Sequence, residues 1–572
     1  MGIREEIRHR VLLLDGAMGT MIQSLRLPPS AFTYRGRTAA GLAEVLNLTQ
    51  GEAITSIHRA YIEAGADIIE TNTFNANRIS LSEYNLEDEV APINRWAVAL
   101  AREASRDAER RVYIAGVLGP TASGLSFSAK VDDPTARTHD FDFFIEAYRE
   151  QAKALIEAGC DLLLIETVFD TLVAKSAIIA CREELEAAGK DLPIMVSVTF
   201  SDGSGRTLSG QSLGAFIATL APFDLFSIGL NCSTGPKEMI PLLNELHAIS
   251  PCYTSAHPNA GFPDEDGRYT LAPDHLAGEL KPLLAEGFLN IVGGCCGTTP
   301  DHIRALKRIL PASRPRSVPP KKPALLLAGL DPVEVKRDTL LIVGERTNVA
   351  GSRIFRRRIE RKQWEEALLV ARDQIAEGAD LLDICMDDPL LDSKEAIVSF
   401  LRYIASDPTI AKAALMIDSS DWSVIESALG EVQGRGIVNS ISLKEGEELF
   451  IRRAKKIASF GHAFVVMLFD EAGQATSYER KLAIAERSYT LLVEAGIDPS
   501  SIIFDPNVLA IGTGIAEHDA YAKATIDATR ELKKRYPRSY ISGGISNLSF
   551  AFRGNDPLRS ALHEVFLELA RF

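Results

Sequence analysis

The stretch FFIEAYREQAKALIEAG (Phe143–Gly159) runs directly into CDLLLIET (Cys160–Thr167). In the first segment apolar residues recur at i, i+3 and i+4, the period of an amphipathic helix. It closes on Ala-Gly, and glycine just past a helix end takes the left-handed backbone that other residues resist. The second segment is a near-continuous apolar run of strand length that ends on a carboxylate, Glu166. A strand apolar on both faces belongs to a parallel sheet covered by helices. The unit recurs upstream as GEAITSIHRAYIEAG followed by ADIIETNTF (Ala66–Phe74).

Working outward, the first part contains eight such strand candidates. The others are VLLLDG (Val11–Gly16), RVYIAGVLGP (Arg111–Pro120), PIMVSVTF (Pro193–Phe200), LFSIGLNC (Leu225–Cys232), CYTSAHPN (Cys252–Asn259) and NIVGGCCG (Asn290–Gly297). Eight strand–helix units are the count of a closed (β/α)8 barrel. Residues 311–339 carry Pro311, Pro315, Pro319, Pro320 and Pro323 among Lys and Arg, which reads as an extended linker. The pattern resumes with LLIVGERTN (Leu340–Asn348), ADLLDICM (Ala379–Met386), ALMIDSS (Ala414–Ser420) and GIVNSIS (Gly436–Ser442). AFVVMLF (Ala463–Phe469), SIIFDPNV (Ser501–Val508) and SYISGGISN (Ser539–Asn547) follow, making seven. The expected fold is therefore α/β with two tandem TIM-type barrels. The domains are 1–310, a linker 311–339, and a barrel 340–572 lacking its last βα unit. An open barrel exposes a sheet edge, so either the chain is truncated or another element closes it.

The 572 residues are 46% apolar and 24% charged, ordinary globular figures. Net charge is 62 − 77 = −15. An acidic chain without an evident Lys/Arg cluster argues against nucleic acid and anionic membrane as partners. No apolar run reaches the roughly 18 residues of a spanning helix, and the N-terminus is a poor signal peptide. A soluble cytoplasmic protein is expected. Seven cysteines, an odd and sparse count, do not make a disulfide framework. Cys160, Cys181 and Cys252 read as packed thiols.

In (β/α)8 enzymes chemistry sits where the strands end. Asp15, Glu70, Asn72, Thr73, Glu166, Asn231, Cys232, Asn259, Cys295 and Cys296 all lie there. Cys232 ends the sixth strand, and Cys295 and Cys296 end the eighth. Three thiolates converging on one opening suit zinc with a fourth position open, the catalytic pattern. The open position favours a further thiolate, which the metal would hold deprotonated as a nucleophile. Asp15 and Glu166 would hold a substrate ammonium group or, alternatively, tie down loops.

DGAMGT (Asp15–Thr20), TNTF (Thr71–Phe74), IGLNC (Ile228–Cys232), PNAG (Pro258–Gly261) and GGCCGT (Gly293–Thr298) resemble homocysteine S-methyltransferase domains. GERTNVAGS (Gly344–Ser352), MIDSS (Met416–Ser420), GIVNSIS, IFDPN (Ile503–Asn507) and SGGISN (Ser542–Asn547) resemble the pterin-binding barrel that follows in cobalamin-dependent methionine synthases. The resemblance implies that Cys232, Cys295 and Cys296 bind Zn2+, with Asn259 as fourth ligand when substrate is absent. It places Asp15 and Glu166 at the amino end of homocysteine, with Thr73 and Asn231 as neighbouring substrate contacts. It places Glu345, Asn348, Asp418, Asn439, Asp505 and Asn547 around the pterin of methyltetrahydrofolate, with Arg553 at a matching basic position. A pterin edge pairs well with carboxylates and amides. Methyl transfer from a tertiary amine also needs a proton at the leaving nitrogen. Asp418, Asp505 and Asn547 are the candidates at that catalytic end, and the sequence leaves open whether the two aspartates are anchors or proton carriers.

The implied enzyme is a methionine synthase-type homocysteine methyltransferase. Its methyl group passes from methyltetrahydrofolate through cobalamin on a module in cis in a longer protein or in trans, since no corrinoid-binding segment is present in these residues. The alternative is a homocysteine S-methyltransferase using a free donor such as S-methylmethionine, with an inactive second barrel. Fusion to a methylenetetrahydrofolate reductase and a non-catalytic folate-binding scaffold are weaker alternatives. Cys385, in DICMDD, departs from the family's asparagine and weakens the expected hydrogen bonding to folate.

Overall fold

The computed structural model describes residues 2–200, 203–320, 324–336 and 339–571. The chain divides into two compact units, the first built from Met1–Ile217 and Asp224–Lys321, the second centred on Lys322–Phe572. Among the described residues no helix is long and apolar enough to cross a membrane.

The first unit is a parallel barrel of β1 (Leu12–Leu13), β2 (Ile68–Glu70), β3 (Tyr113–Leu118), β4 (Leu162–Val168), β5 (Ile194–Val198), β6 (Ser227–Asn231), β7 (Tyr253–His257) and β8 (Ile291–Val292). Neighbours pair in sequence order, β8 returns to β1, and a parallel bridge from Leu14 to Ile68 closes the ring. All eight expected strands are present. Inward residues such as Leu12, Leu14, Tyr113, Leu162, Leu164 and Met195 form one core, stoppered by Ile3 and Ile7 beside the N-terminal helix. The deciding helix spans Phe141–Ala158: the Asp140 side chain accepts from Phe143 N, and Gly159 at φ +89° ends it. Its buried face includes Phe144, Tyr148, Ala152 and Leu155.

The second unit is a seven-stranded parallel sheet in sequence order. Its strands are β11 (Val343–Gly344), β12 (Leu381–Cys385), β13 (Ala414–Asp418), β14 (Ile437–Ile441), β15 (Ala463–Met467), β16 (Ile502–Asp505) and β17 (Tyr540–Ile541). This is a TIM-type barrel of seven described strands, as the pattern indicated.

The linker reading needs correction, apart from positions 321–323, 337 and 338, which lie outside the described residues. Arg316 is buried, donating to the carbonyls of His247, Ser250 and Cys252, while its own carbonyl accepts from Asn290 Nδ2. That seals the floor of the first barrel. An antiparallel hairpin, β9 (Leu325–Ala328) and β10 (Pro332–Val335), follows. Leu325 and Leu327 pack under the second sheet against Leu381, Met416, Ile437, Val465 and Ile503. Leu325 N donates to Tyr540 Oη at 2.7 Å. A Cβ on Gly434 would lie 1.8 Å from the Ala328 carbonyl oxygen, so only glycine admits the hairpin so closely. Proline density concealed a barrel stopper.

Candidate functional site

The strand-end cysteines of the first barrel converge. The sulfurs of Cys232, Cys295 and Cys296 lie within 4.8 Å of one another, and Cys232 Sγ is 3.7 Å from Cys296 Sγ. A tetrahedral zinc with bonds of ~2.3 Å sets its sulfurs about 3.8 Å apart, so the spacing fits that ion. Cys232 and Ser233 adopt left-handed backbone at φ +60° and +53°. That conformation costs roughly 1–3 kcal/mol per residue and is found where a site demands it. Cys232 N donates to the His257 carbonyl, and Thr234 N to that of Cys232, which fixes the turn. Strand β8 stops at Val292, earlier than expected, so Cys295 and Cys296 ride on the following turn. There Gly297, at φ +79°, has no room for a Cβ beside Tyr269. Ala260 N donates to the Cys296 carbonyl, drawing the Asn259 loop to the thiols. Asn259 Oδ1 is buried with no hydrogen-bond partner. Hydrogen bonds from Cys232 and then Cys295 bring Cys296 down to about 3, and the same sharing pushes Cys295 up.

Three carboxyls face this group across the mouth. Asp15 Oδ2 accepts from Glu70 N at 3.0 Å, while buried Oδ1 has no partner. Burial, and then the charge of Glu166, holds Asp15 well above the carboxylate range. Glu70 is raised by burial, by Glu166 and by Asp15. Glu166 is pushed up to about 8 by burial and by Cys296. The trio is short of positive charge, and a substrate ammonium group would relieve it. Two expected contacts are engaged within the protein. Thr73 is fully buried, its hydroxyl spent on the Val117 carbonyl and on Thr71. Asn231 is held by Thr167, accepting from its N at 3.0 Å and donating to its Oγ1 at 2.8 Å, with Cys295 Sγ 4.0 Å away.

At the mouth of the second unit Cys385, Asp418 and Asn439 stand in one row across β12, β13 and β14. Asp383, one inward position below Cys385, is pushed up to about 8 by burial, Asp418 and Glu345, with the nearby Asn348 side chain opposing the rise. Asp418 is raised to about 7 by burial, Asp387 and Glu345. Cys385 lies in register with Asp418 on the neighbouring strand, and burial, followed by the charge of Asp418, pushes its thiol up. Asn348 Oδ1 accepts from Ala350 N and Gly351 N, shaping the first loop. Asp505 is raised to about 6 by burial. Lys481 lies near it, buried, donating to the carbonyls of Ala475, Pro506 and Asn507. Asn547 and Arg553 are exposed; the Arg553 guanidinium stacks 4.0 Å over Phe550 and makes no described contact with the carboxylates.

The homocysteine S-methyltransferase family profile matches residues 12–310, more than half the chain. The chain belongs to that family. A second profile, of pterin-binding enzymes, matches residues 344–571. The pair corresponds to the homocysteine- and pterin-binding parts of methionine synthase. Among solved structures, the metallated homocysteine methyltransferase MmuM of Escherichia coli is 25% identical, with TM-score 0.42, over 54% of this chain and 98% of that one. The oxidized form of the same enzyme is 26% identical, with TM-score 0.41, over 52% and 95%. Dihydropteroate synthase of Xanthomonas albilineans with 7,8-dihydropteroate is 17% identical, with TM-score 0.30, over 42% and 86%.

Within this homocysteine methyltransferase chain the sequence reading singled out neither Asp383, Asp387 nor Lys481. DICMDD contains two of them, and its three acids in six residues were the available signal. Lys481 lies in a helix, where nothing local marks it as buried.

Proposed function

We propose that this chain methylates the thiol of homocysteine at the mouth of its first barrel and binds the pterin of a reduced-folate methyl donor in its second. The observation that carries the reading is the convergence of three cysteine sulfurs beside three carboxyls, Asp15 and Glu166 buried and Glu70 half-buried, that have no ion-pair partner among the described residues. Cys232, Cys295 and Cys296 would hold zinc. A zinc ion there lowers the pKa of a fourth, substrate thiol, so that the attacking sulfur is deprotonated at neutral pH. Asn259, whose buried Oδ1 has no hydrogen-bond partner, would be available as a fourth ligand in the absence of substrate. Asp15, Glu70 and Glu166 grip the ammonium end, which orients the substrate sulfur toward the thiols. Thr167 and Asn231 fix the loop beside Cys295.

In the second barrel Asn348, Asp383, Asp418 and Asn439 present acceptors and donors to the planar pterin edge. Asp418 and Asp505 titrate near neutrality, so each can carry a proton at working pH. The methyl group would travel between the barrels on a corrinoid held by another module, in cis or in trans, and that chemistry belongs to that module.

The test uses anaerobic full chain with zinc content measured directly. Methionine formed from homocysteine and free methylcobalamin, together with saturable methyltetrahydrofolate binding near one site per chain, is the expected result. Methionine formed only from S-methylmethionine, without folate binding, would assign free-donor chemistry. Failure to retain zinc, with no methionine from either donor, would overturn the reading.

A further inference from the structure

Lys481 is unusual twice over for its place in the chain. It is fully buried, where lysine is rarely found, and it sits one turn into the helix Tyr478–Glu494, near the end whose dipole disfavours cations. Its ammonium donates only to neutral carbonyls: Ala475 at 2.9 Å, Pro506 at 2.5 Å and Asn507 at 3.3 Å. Burying a charge without a carboxylate on it is expensive, and neutral donors could serve three carbonyls at lower cost. The positive charge itself therefore calls for a role.

The partners show where that charge acts. Pro506 and Asn507 directly follow Asp505 at the end of β16, and Asn507 is held in left-handed backbone at φ +58°. Asn507 N donates to Asp505 Oδ1 at 2.7 Å, and Asn507 Nδ2 to the Leu468 carbonyl at 2.8 Å. Leu468 N donates to the Asp505 carbonyl, and Ala475 N to that of Leu468. Lys481 thus closes a ring of hydrogen bonds around Asp505, gripping the turn after it and the loop beside it. Oδ1 is committed to the turn, which leaves Oδ2 for a ligand. The charges follow the same line. Burial raises three aspartates at this mouth, Asp383 to about 8 and Asp418 to about 7, but Asp505 only to about 6. The Asn507 N–H and then the Lys481 charge oppose the rise at Asp505. Among the described residues Lys481 is the one charged group acting on Asp505, and Asp505 the one acting on Lys481.

We infer that Lys481 is a positioning residue for Asp505: its ammonium fixes the Pro506–Asn507 turn and holds the carboxylate charged and aimed at the pterin of the methyl donor. The inference rests on the pterin reading proposed above and adds a residue that acts only through Asp505.

The test is a double-mutant cycle on the full chain: Lys481→Gln, Asp505→Asn and the pair. Each is titrated calorimetrically with methyltetrahydrofolate at pH 6 and pH 8.5, and its fold is checked by thermal melting. Loss of a nearby opposite charge raises a carboxyl by about one pH unit or more. From a start of about 6, that cuts the ionised fraction about fivefold at pH 6 and hardly at all at pH 8.5. Relative to the unaltered chain, Lys481→Gln should therefore lose about fivefold more affinity at pH 6 than at pH 8.5, and nothing further once Asp505 is asparagine. Lys481→Arg, which keeps the charge, should restore the unaltered pH profile. An equal loss at both pH values, a loss that adds in full to that of Asp505→Asn, or unchanged affinity would overturn the inference. If Lys481→Gln does not melt cooperatively, Asp505→Asn decides alone. Deprived of its opposing charge, buried Lys481 should then lower the melting temperature of the second barrel, and a raised or unchanged one would overturn the inference. Absence of folate binding in the unaltered chain would fail the pterin reading itself, and this role of Lys481 with it.

Discussion

Asp418 is the group through which the second barrel can be interrogated most directly. Burial comes first among the causes that raise it to about 7, with the charges of Asp387 and Glu345 behind. If the pterin edge donates N–H groups to this carboxylate, the ligand stabilises its charged form and lowers its pKa in the complex. Binding is then weakest where free Asp418 is protonated, strengthens as pH rises through about 7, and levels off above. At pH 6 roughly one free site in eleven is ionised, so affinity should be about tenfold lower than at pH 8, or ~1.4 kcal/mol. Asp383, raised to about 8 partly by Asp418, extends the rise toward pH 8.5. In Asp418→Asn the charge-assisted hydrogen bonds are lost, about 1.5–3 kcal/mol. What pH dependence remains should move to lower pH, because Asp383 no longer faces that charge. Calorimetric titration with monoglutamyl methyltetrahydrofolate between pH 6 and 8.5 reads all of this. A flat profile in the unaltered chain, or affinity that grows as pH falls, would refute the reasoning; the second outcome would mean that a protonated carboxyl donates to the ligand.

Two further expectations are independent of that one. Glu166→Gln should raise the KM for homocysteine by about 10- to 150-fold, the worth of a charge-assisted hydrogen bond, with zinc content unchanged. Steady-state kinetics with metal analysis check it, and an unaltered KM would remove Glu166 from the ammonium site. Leu327→Ala, at a fully buried position under the second sheet, should destabilise that unit by about 2–5 kcal/mol. Hydrogen exchange in β13 and β15 measures the loss, and a change below about 0.5 kcal/mol would return residues 325–335 to the status of a linker.

Both barrels were legible because each βα unit writes its period and its stop into consecutive residues. Gly65 and Gly159 end their helices at φ +110° and +89°, where the Ala-Gly pairs said they would. The hairpin β9–β10 was not legible. Its four apolar residues are flanked by prolines that truly exclude helix, and local composition cannot distinguish a loose tether from a short stopper whose partners lie from about 50 to 215 residues onward. Arg316 failed for the same reason: a lone arginine in a proline run reads as solvated, and only the floor of a folded barrel gathers three carbonyls around it.

The site residues divide along the same line. The cysteines were legible because GGCCG supplies both candidate ligands and the glycines that turn them, and β8 needs only β6, two strands away, to complete the triad. The inward turn of Thr73 was hidden, because the polar residues Thr71, Asn72 and Thr73 all sit at one strand end. Which of them faces the mouth depends on the pleat and on hydrogen bonds from β3. Charge state was hidden most deeply. Asp15, Glu70 and Glu166 come from three different strands, and no one of them is unusual alone. Their raised pKa values arise because closure of the ring buries all three within reach of one another. The barrel thus gathers carboxylates that in the unfolded chain would simply be ionised, and these form the proposed ammonium site. Holding them together without a cation costs stability, which argues that the missing positive charge arrives with the substrate.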